Sequence, residues 1–280
     1  MQRKDEIRTL LELPPRKIIE KAGPHLVVCE SLDMLHAKFA LDIATAIKKN
    51  NEKGLNSRFI LPVGPTGQYP YLVDIINTEE IDLSNCFFFF MDEYCDADGK
   101  AIDIAHPLSF RDIAQQLFLQ ELDASCGLTP DRIFFPTEAT ITKLDDMIKN
   151  VGGIDVCFGG IGIHGHIAFN EPESGVKHLG SRLVDLNEYT VTINAVRASV
   201  GGNLEGFPRR AFTIGMKQIL DAKRIMLYCR NGTSFDWANT ILRLALFGKP
   251  GDDYPVTHIR NKDYIITTDL DTLRCPINLL

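Results

Sequence analysis

The chain has 280 residues, of which 45% are hydrophobic, and a formal net charge of -7 at pH 7. This composition is sufficient to bury a continuous core, so we expect one large α/β domain, residues 25–280, preceded by a short extension. The negative charge and the absence of a Lys/Arg-rich run argue against nucleic acid as a partner, so an anionic substrate would need a local positive site.

Residues 1–24 are predicted to form an N-terminal helical extension. A short helix is followed by Pro14-Pro15 and by a second helical segment that ends near Gly23-Pro24. The sequence leaves two roles open for this extension, an oligomer contact in a homo-oligomer or a tail packed on its own domain.

Alternation of strands and helices begins at His25, with a strand to Cys29 and a helix capped by Ser31. The next strand, Arg58 to Val63, runs into Gly64-Pro65-Thr66-Gly67 before a helix through Leu72 and Ile76. Backbone N–H groups and a hydroxyl at a helix start form an anion site. The loop lacks the Gly-Lys-Ser/Thr of a nucleotide P-loop, so it indicates either a single-phosphate site or an ordinary turn.

Cys86 to Met91 contains four consecutive phenylalanines and predicts a central strand covered on both faces. Asp92, Glu93 and Tyr94 follow directly. Carboxylates at the end of a buried strand are either solvated loop residues or a base held at the floor of a cleft with a raised pKa.

Residues 155–172 combine a buried strand with a glycine-rich loop. The strand is predicted over Ile154 to Phe158, and His164, His166, Asn170 and Glu171 emerge from the loop after it. Open α/β sheets bind ligands at the carboxyl ends of their strands. This loop is therefore the strongest candidate for a functional site.

The composition of this loop leaves several interpretations open. Its glycines have the spacing of a dinucleotide-binding fingerprint, but that motif needs a helix at the third glycine, and Pro172 comes too soon for one. His164, His166 and Glu171 are candidate metal ligands, although His-x-His is weak evidence without a third ligand at a recognised spacing. In the third interpretation, the histidines are incidental loop residues without a function.

A longer pattern in the same loop resembles a known family. The run from Gly159-Gly160-Ile161-Gly162 to Gly165-His166-Ile167-Ala168-Phe169-Asn170-Glu171-Pro172 is similar to the Gly-Gly-x-Gly-x-Asp-Gly-His-Ile-Ala-Phe-Asn-Glu-Pro signature of the glucosamine-6-phosphate deaminase/isomerase family. The resemblance implies that His166 is a catalytic proton shuttle positioned or tuned by Glu171. The chain departs from the signature at one position, His164, where the family has aspartate.

Three upstream segments resemble the same family. Met91-Asp92-Glu93-Tyr94 matches its Met-Asp-Glu-Tyr, which implies that Asp92 removes the proton from C2 of the sugar. The Leu61–Gln68 segment resembles its Leu-Pro-Thr-Gly-x-Thr-Pro loop and departs from it at Val63 and Gly67. His106-Pro107-Leu108-Ser109-Phe110 resembles its His-Pro-x-Ser-Tyr/Phe and opens a helix through Phe118.

The second half of the chain is predicted to continue the alternation. Its elements are a strand Arg132 to Phe135, a helix Thr140 to Val151, and strands Tyr189 to Ile193, Arg224 to Cys229 and Asp263 to Thr268. The resemblance implies that Arg197 binds the substrate phosphate, after a one-residue insertion in the alignment. The family's phosphate-contacting lysine after the Arg224–Cys229 strand is missing. We expect N–H groups of a helix opened by Thr233 and Ser234, or Lys217, to replace it.

Together these elements predict a three-layer αβα, Rossmann-like fold with a mostly parallel sheet. The resemblance implies an enzyme of amino sugar catabolism, an aldose–ketose isomerase and deaminase that hydrolyses an amino sugar 6-phosphate to a ketose 6-phosphate and ammonia, without cofactor or metal. An isomerase or lactonase for another sugar phosphate, and a sugar-phosphate sensor without turnover, are the alternatives. The residues expected to bind substrate are Gly64, Thr66, Gly67, Glu93, Gly160, Gly162, Gly165 and Arg197.

The location of the protein is predicted from its cysteines and its amino terminus. Seven cysteines are scattered without a Cys-x-x-Cys pair, which is typical of a reducing compartment. The first residues lead into a polar segment, and no window reaches the roughly 18 apolar residues of a membrane span. We expect a cytoplasmic protein without a membrane partner.

Overall fold

The computed structural model describes residues 2–231 and 236–279. Within them the chain alternates between strands and helices, linked by loops and short 3-10 turns, and a π-helical segment, Gln115–Leu119, extends α5. The strands are β1 (Leu26–Cys29), β2 (Ser57–Leu61), β3 (Cys86–Phe90), β4 (Asp92–Cys95), β5 (Ile133–Phe134), β6 (Val156–Gly160), β7 (Arg182–Asp185), β8 (Arg210–Thr213), β9 (Arg224–Cys229) and β10 (Tyr264–Asp269). The helices are α1 (Arg3–Leu11), α2 (Pro15–Ala22), α3 (Leu32–Asn51), α4 (Gln68–Thr78), α5 (Phe110–Ala114), α6 (Leu144–Asn150), α7 (Glu188–Arg197), α8 (Met216–Asp221), α9 (Ala238–Phe247) and α10 (Leu270–Leu273).

The central sheet has seven strands in the order β1-β10-β9-β6-β2-β3-β5, and every neighbouring pair is parallel. This confirms the predicted αβα fold with a mostly parallel sheet. The phenylalanine-rich strand β3 is not central, however. It lies second from the edge, beside the two-residue strand β5, and helices still cover both of its faces.

The side chains of the strands alternate between two cores, one on each face of the sheet. Ile60 of β2 and Phe89 of β3 join the core formed with α2, α6, α8 and α9. Phe59, Phe88 and Phe90 of the same strands join the core formed with α3 and α4. A continuous apolar sequence is therefore required in these strands, because neither face meets water.

A second sheet of three antiparallel strands, in the order β4-β8-β7, stands beside the central one. Asp92 begins β4 one residue after β3 ends, and Met91 is the residue between them. The prediction that Asp92 ends a buried strand is therefore refined. Asp92 lies at the point where the chain leaves the parallel sheet and enters the antiparallel one.

The predicted strand Tyr189 to Ile193 is wrong, because these residues lie in helix α7. The side chain of Asn187 caps this helix by accepting a hydrogen bond from the Thr190 amide at 2.9 Å. The β-branched residues of this segment favour a strand on propensity alone. Burial of Val191 and Ala195, four residues apart, stabilises the helix instead.

The N-terminal helices pack against α9. Leu10 and Ile18 are buried, and the fully buried Arg243 of α9 donates hydrogen bonds to the carbonyl oxygens of Leu10 and Leu13 at 3.1 and 3.2 Å. The same guanidinium donates to the Leu273 carbonyl at 3.0 Å, so it joins both ends of the chain. The extension packs on its own domain, while the boundary near residue 24 and a homo-oligomer stay predictions.

No helix among the described residues is both long and apolar enough to cross a membrane.

Candidate active site

A cavity of about 890 Å³ opens at the carboxyl ends of the parallel strands. This is the location at which α/β sheets bind ligands, since loops from several strands converge there. The polar and loop residues that line it include Gly64, Pro65, Thr66, Asp92, Gly160, Gly162, His166, Asn194, Arg197 and Arg230.

Asp92 places a buried carboxyl group in the cavity wall. The residue is 8% exposed, and burial, followed by the charge of Glu93, raises the pKa of Asp92 to about 8. An acid whose pKa lies near neutrality can take up and release a proton during a reaction cycle. Asp92 therefore has the character of a catalytic base, and that role stays a prediction.

Glu93 does not line the cavity, although we expected it to bind substrate. Its side chain points away and accepts hydrogen bonds from the amides of Phe110 and Arg111 at 3.0 and 2.9 Å, beside the start of α5. Arg111 also donates to it through Nε at 3.1 Å, and Ser109 through its hydroxyl at 3.2 Å. A carboxylate with this many donors stabilises the helix start and is not free to hold a ligand.

The loop after β6 delivers His166 to the cavity. Its turn is closed by hydrogen bonds from the Gly162 amide to the His166 carbonyl oxygen and from the Gly165 amide to the Gly162 carbonyl oxygen, both 2.9 Å. A Cβ added at Gly162 would lie 1.8 Å from Nε2 of His166. Only glycine at this position leaves space for the imidazole, so the backbone of Gly162 forms part of the cavity wall.

The electrostatic environment keeps the imidazole of His166 neutral. Burial, then the charge of His164 and then that of Arg197 lower the pKa of His166 to about 3. A neutral imidazole can accept a proton through one ring nitrogen while it donates through the other. His166 therefore has the chemistry of a proton shuttle, although a pKa this low makes it a weak base at neutral pH.

His164 and Glu171 lie outside the cavity and do not hydrogen-bond to His166. The Nδ1 atom of His164 is 3.5 Å from Nδ2 of Asn187, and its ring stands edge-on to Tyr189. Glu171 accepts a hydrogen bond from the Asn187 amide at 2.8 Å. Within the described structure, Nδ1 of His166 and Oε1 of Glu171 are buried without partners. Glu171 therefore makes no direct hydrogen bond to His166, and its role in positioning or tuning the imidazole stays a prediction.

Two glycines that we expected to bind substrate serve the packing of the loops instead. A Cβ at Gly67 would lie 2.2 Å from Nδ1 of His36, and one at Gly165 would lie 2.8 Å from Cγ1 of Val256. Gly165 also has a φ of +67°, in the left-handed region that glycine adopts without strain. Neither residue lines the cavity, whereas Gly64, Gly160 and Thr66 do.

The cavity also contains positive charge, because Arg197 and Arg230 line it. Thr66 precedes the amino terminus of α4, where backbone N–H groups favour an anion. Arg197 ends α7, and its guanidinium carbon lies 4.9 Å from the centre of the Trp237 ring. Although Arg197 is an exposed residue, desolvation and then the charge of Arg230 lower the pKa of its guanidinium, which stays protonated at neutral pH.

Arg230 is the cavity residue that sequence reasoning missed. It directly follows strand β9, so the rule that placed other site residues at strand ends would also have found it. Lys217, considered as a source of charge, is instead an exposed residue paired with Asp221 on α8 at 3.0 Å. Thr233 and Ser234, the other substitutes considered, lie outside the described residues.

The glycines at 160, 162 and 165 do not form a dinucleotide site, because the loop leads to a 3-10 turn at Val176–His178 and not to a helix at the third glycine. Across residues 2–231 and 236–279, no three histidine, cysteine, aspartate or glutamate side chains are arranged to hold a metal ion.

The chain is similar to known proteins in sequence and in fold. No family model matches the sequence. The chain is 31% identical to the glucosamine-6-phosphate deaminase of Caenorhabditis elegans over 206 residues, which cover 72% of this chain and 74% of that relative.

Two solved structures share the fold. A monomeric glucosamine-6-phosphate deaminase has a TM-score of 0.76 and 25% identity, over 88% of this chain and 98% of the other. A 6-phosphogluconolactonase from Thermotoga maritima has a TM-score of 0.63 and 16% identity, over 87% of this chain and 98% of the other, and this second likeness is one of fold alone. The 31% identity to a glucosamine-6-phosphate deaminase over most of both chains shows that this chain belongs to the glucosamine-6-phosphate deaminase family.

Proposed function

We propose that this protein converts an amino sugar 6-phosphate, and water, into a ketose 6-phosphate and ammonia. The observation that carries the proposal is the presence in one cavity of a buried acid with a pKa near neutrality, a neutral imidazole and two arginines. The first two groups supply the proton transfers of an isomerisation, and the arginines supply the charge that holds a phosphate.

Ring opening is assigned to His166. Its neutral imidazole accepts the proton of the C1 hydroxyl while the ring oxygen takes up a proton, which breaks the bond between C1 and that oxygen and leaves an aldehyde. Burial within the loop holds the imidazole in one place. This pre-positioning lowers the entropic cost of the transfer.

Enolisation is assigned to Asp92. Its carboxylate removes the proton at C2, the electron pair forms a C1–C2 double bond, and the aldehyde oxygen is protonated. Return of a proton to C1 gives an imine at C2, which water hydrolyses to a ketone and ammonia. Asp92 must be ionised to begin this sequence, and its pKa of about 8 disfavours that form in the empty site.

The substrate's own amino group removes this obstacle. An ammonium group at C2 stands beside the attacked proton, and a positive charge next to a buried carboxyl favours its ionised form. A neutral hydroxyl at C2 gives no such stabilisation. We therefore infer a preference for 2-amino sugars over the corresponding 2-hydroxy sugars, which arises from the burial of Asp92.

Lactone hydrolysis is a second candidate, because the neutral imidazole of His166 can activate a water molecule against a lactone carbonyl in the same cavity. Ammonia release from glucosamine 6-phosphate, measured alongside acid release from 6-phosphogluconolactone, separates the two reactions. We expect turnover with the amino sugar only. Turnover with the lactone only would replace the proposal, and phosphate-dependent binding of both without turnover would identify a sensor.

A further inference from the structure

Helix α1, in the N-terminal extension, contacts the loop that follows α9. Arg3 donates through Nε to Asp253 at 2.7 Å and through Nη2 to the Lys249 carbonyl oxygen at 2.9 Å. Glu6 accepts a hydrogen bond from the Lys249 amide at 2.8 Å and a second from Arg3 at 2.6 Å. Glu6 is only 7% exposed, so its carboxylate is part of a built contact and not a solvated surface charge.

The loop after α9 also contacts the glycine-rich loop that follows β6. We call this second loop, which carries His166, the catalytic loop. The Val256 amide donates to the Gly165 carbonyl oxygen at 2.7 Å. The Gly175 amide donates to the Asp252 carboxylate, also at 2.7 Å. Residues 249–258, which we call the bracing segment, are therefore bonded to α1 on one side and to the catalytic loop on the other.

Gly165 connects the bracing segment to the candidate catalytic residue His166. It stands directly before His166, and its close packing against Val256 leaves no space for a Cβ. Its φ of +67° fixes the direction in which the chain enters His166. Because Nδ1 of His166 has no hydrogen-bond partner in the described structure, the position of the imidazole depends on this backbone and on packing.

We propose that Arg3 and Glu6 are positioning residues for His166. They hold the bracing segment in place, and the bracing segment holds the loop that carries the imidazole. Residues 1–24 thereby become a working part of the active site, although none of them lines the described cavity. The catalytic consequence rests on the proposed function, whereas the mechanical coupling does not.

The variants that test the proposal are Arg3→Ala and Glu6→Ala. The matched control is Arg8→Ala, because Arg8 lies on the same helix and only approaches Glu12 at 3.8 Å, with both side chains exposed. Arg3→Lys retains the charge toward Asp253 and serves as a rescue. Deleting the whole extension is less informative, since it would strip the buried Arg243 of the Leu10 and Leu13 carbonyl oxygens.

The first measurement is amide hydrogen exchange, which reports local opening without requiring activity. We expect exchange in residues 160–178 to accelerate by roughly tenfold or more in Arg3→Ala and Glu6→Ala, with strand β2 as an internal reference. Arg8→Ala should leave both regions unchanged, and Arg3→Lys should restore most of the protection. Unchanged exchange in the loop, or an equal acceleration in β2, would overturn the coupling.

The second measurement is the kinetics of ammonia release. We expect kcat to fall by roughly tenfold or more with KM almost unchanged, because a misplaced catalytic group slows chemistry while Arg197 and Arg230 still hold the phosphate. Faster exchange in residues 160–178 together with the same kcat as the parent would overturn the positioning role. A parent chain without deaminase activity would instead overturn the proposed function, and the exchange data would still decide the coupling.

Discussion

The guanidinium groups of Arg197 and Arg230 face one cavity, and after desolvation the charge of Arg230 is the next cause that lowers the pKa of Arg197. In the described part of the chain, no carboxylate lies within 4.0 Å of either group. Two like charges held together in this way repel each other until an anion arrives. A bound phosphate therefore gains hydrogen bonds and also relieves this repulsion.

Replacing either arginine tests this anion site. Arg197→Ala and Arg230→Ala should each weaken binding of a phosphorylated sugar by about 1.5–3 kcal/mol, the range for hydrogen bonds to charged groups. Calorimetric titration of both variants and of the double variant measures the effect and its additivity. Arg209→Ala is the control, because Arg209 pairs with the exposed Glu188. Parental affinity in Arg230→Ala would show that Arg230 does not hold the phosphate.

Asp92→Asn tests the base. The amide keeps the shape of the side chain but cannot accept a proton, so exchange of the C2 proton with solvent deuterium should be lost while binding of the phosphorylated sugar is nearly retained. Proton exchange is followed by NMR, and binding by calorimetry. Asp98→Asn changes an exposed carboxylate nearby and should behave like the parent. Equal exchange rates in Asp92→Asn and parent would refute the role.

The same substitution should change how stability depends on pH. The pKa of Asp92 is about 8 in the folded protein and near its ordinary value of 3.8 in the unfolded chain. Between these two values the folded state binds more protons, so rising pH favours unfolding by roughly 1 kcal/mol per pH unit. Asp92→Asn lacks this penalty. Its advantage in the free energy of unfolding should grow up to about pH 8 and then level off, because both states are ionised above the folded pKa.

Denaturant unfolding of parent and Asp92→Asn across this pH range measures the difference. A stability gap that stays constant from about pH 5 to about pH 8 would show that Asp92 is ionised in the folded protein at neutral pH.

His164→Asp tests the departure from the family signature. Burial and then His164 lower the pKa of His166 to about 3, which makes the imidazole a weak base at neutral pH. A carboxylate at position 164 would favour the protonated imidazole and raise that pKa toward the working range. Ammonia release across about pH 6 to about pH 9 should therefore increase in the variant. NMR titration of His166 checks the cause directly.

The control for this substitution is His164→Asn, which removes the imidazole without adding a charge. It should give a smaller increase, since only the like-charge repulsion is removed. Lower activity in His164→Asp than in the parent, with the fold intact, would mean that His164 contributes to catalysis and is not a handicap.

Glu93→Gln separates a structural role from substrate binding. The substitution removes the negative charge that accepts hydrogen bonds from Ser109 and Arg111. It also places an NH₂ donor where the surrounding groups are themselves donors. Breaking one partner of a buried ion pair costs about 3–5 kcal/mol, so thermal unfolding should shift to clearly lower temperature. Affinity for the phosphorylated sugar should stay close to the parent at temperatures where the variant is folded. Weaker binding with unchanged stability would show that Glu93 binds the substrate.

The sequence alone determined the parallel αβα architecture, because fully buried strands need uninterrupted apolar runs such as the phenylalanines of β3. It also placed Asp92 and His166 after strands, where chemistry in such sheets lies, whereas Arg197, which ends helix α7, was indicated only by the family resemblance. What it did not determine was the direction of each side chain. Glu93 follows Asp92 in sequence, yet alternation along β4 turns the two carboxylates to different surroundings.

Tertiary structure alone decided the contacts between distant segments. The β-branched residues near Val191 favour a strand locally, and only the cap at Asn187 and packing of one face make them a helix. No local pattern predicts that Arg197 and Arg230 line the same cavity. The same is true of the hydrogen bond from Arg3 to Asp253. Propensity and periodicity report on neighbours within a few residues, whereas an active site depends on which distant side chains the packed core brings within hydrogen-bond distance.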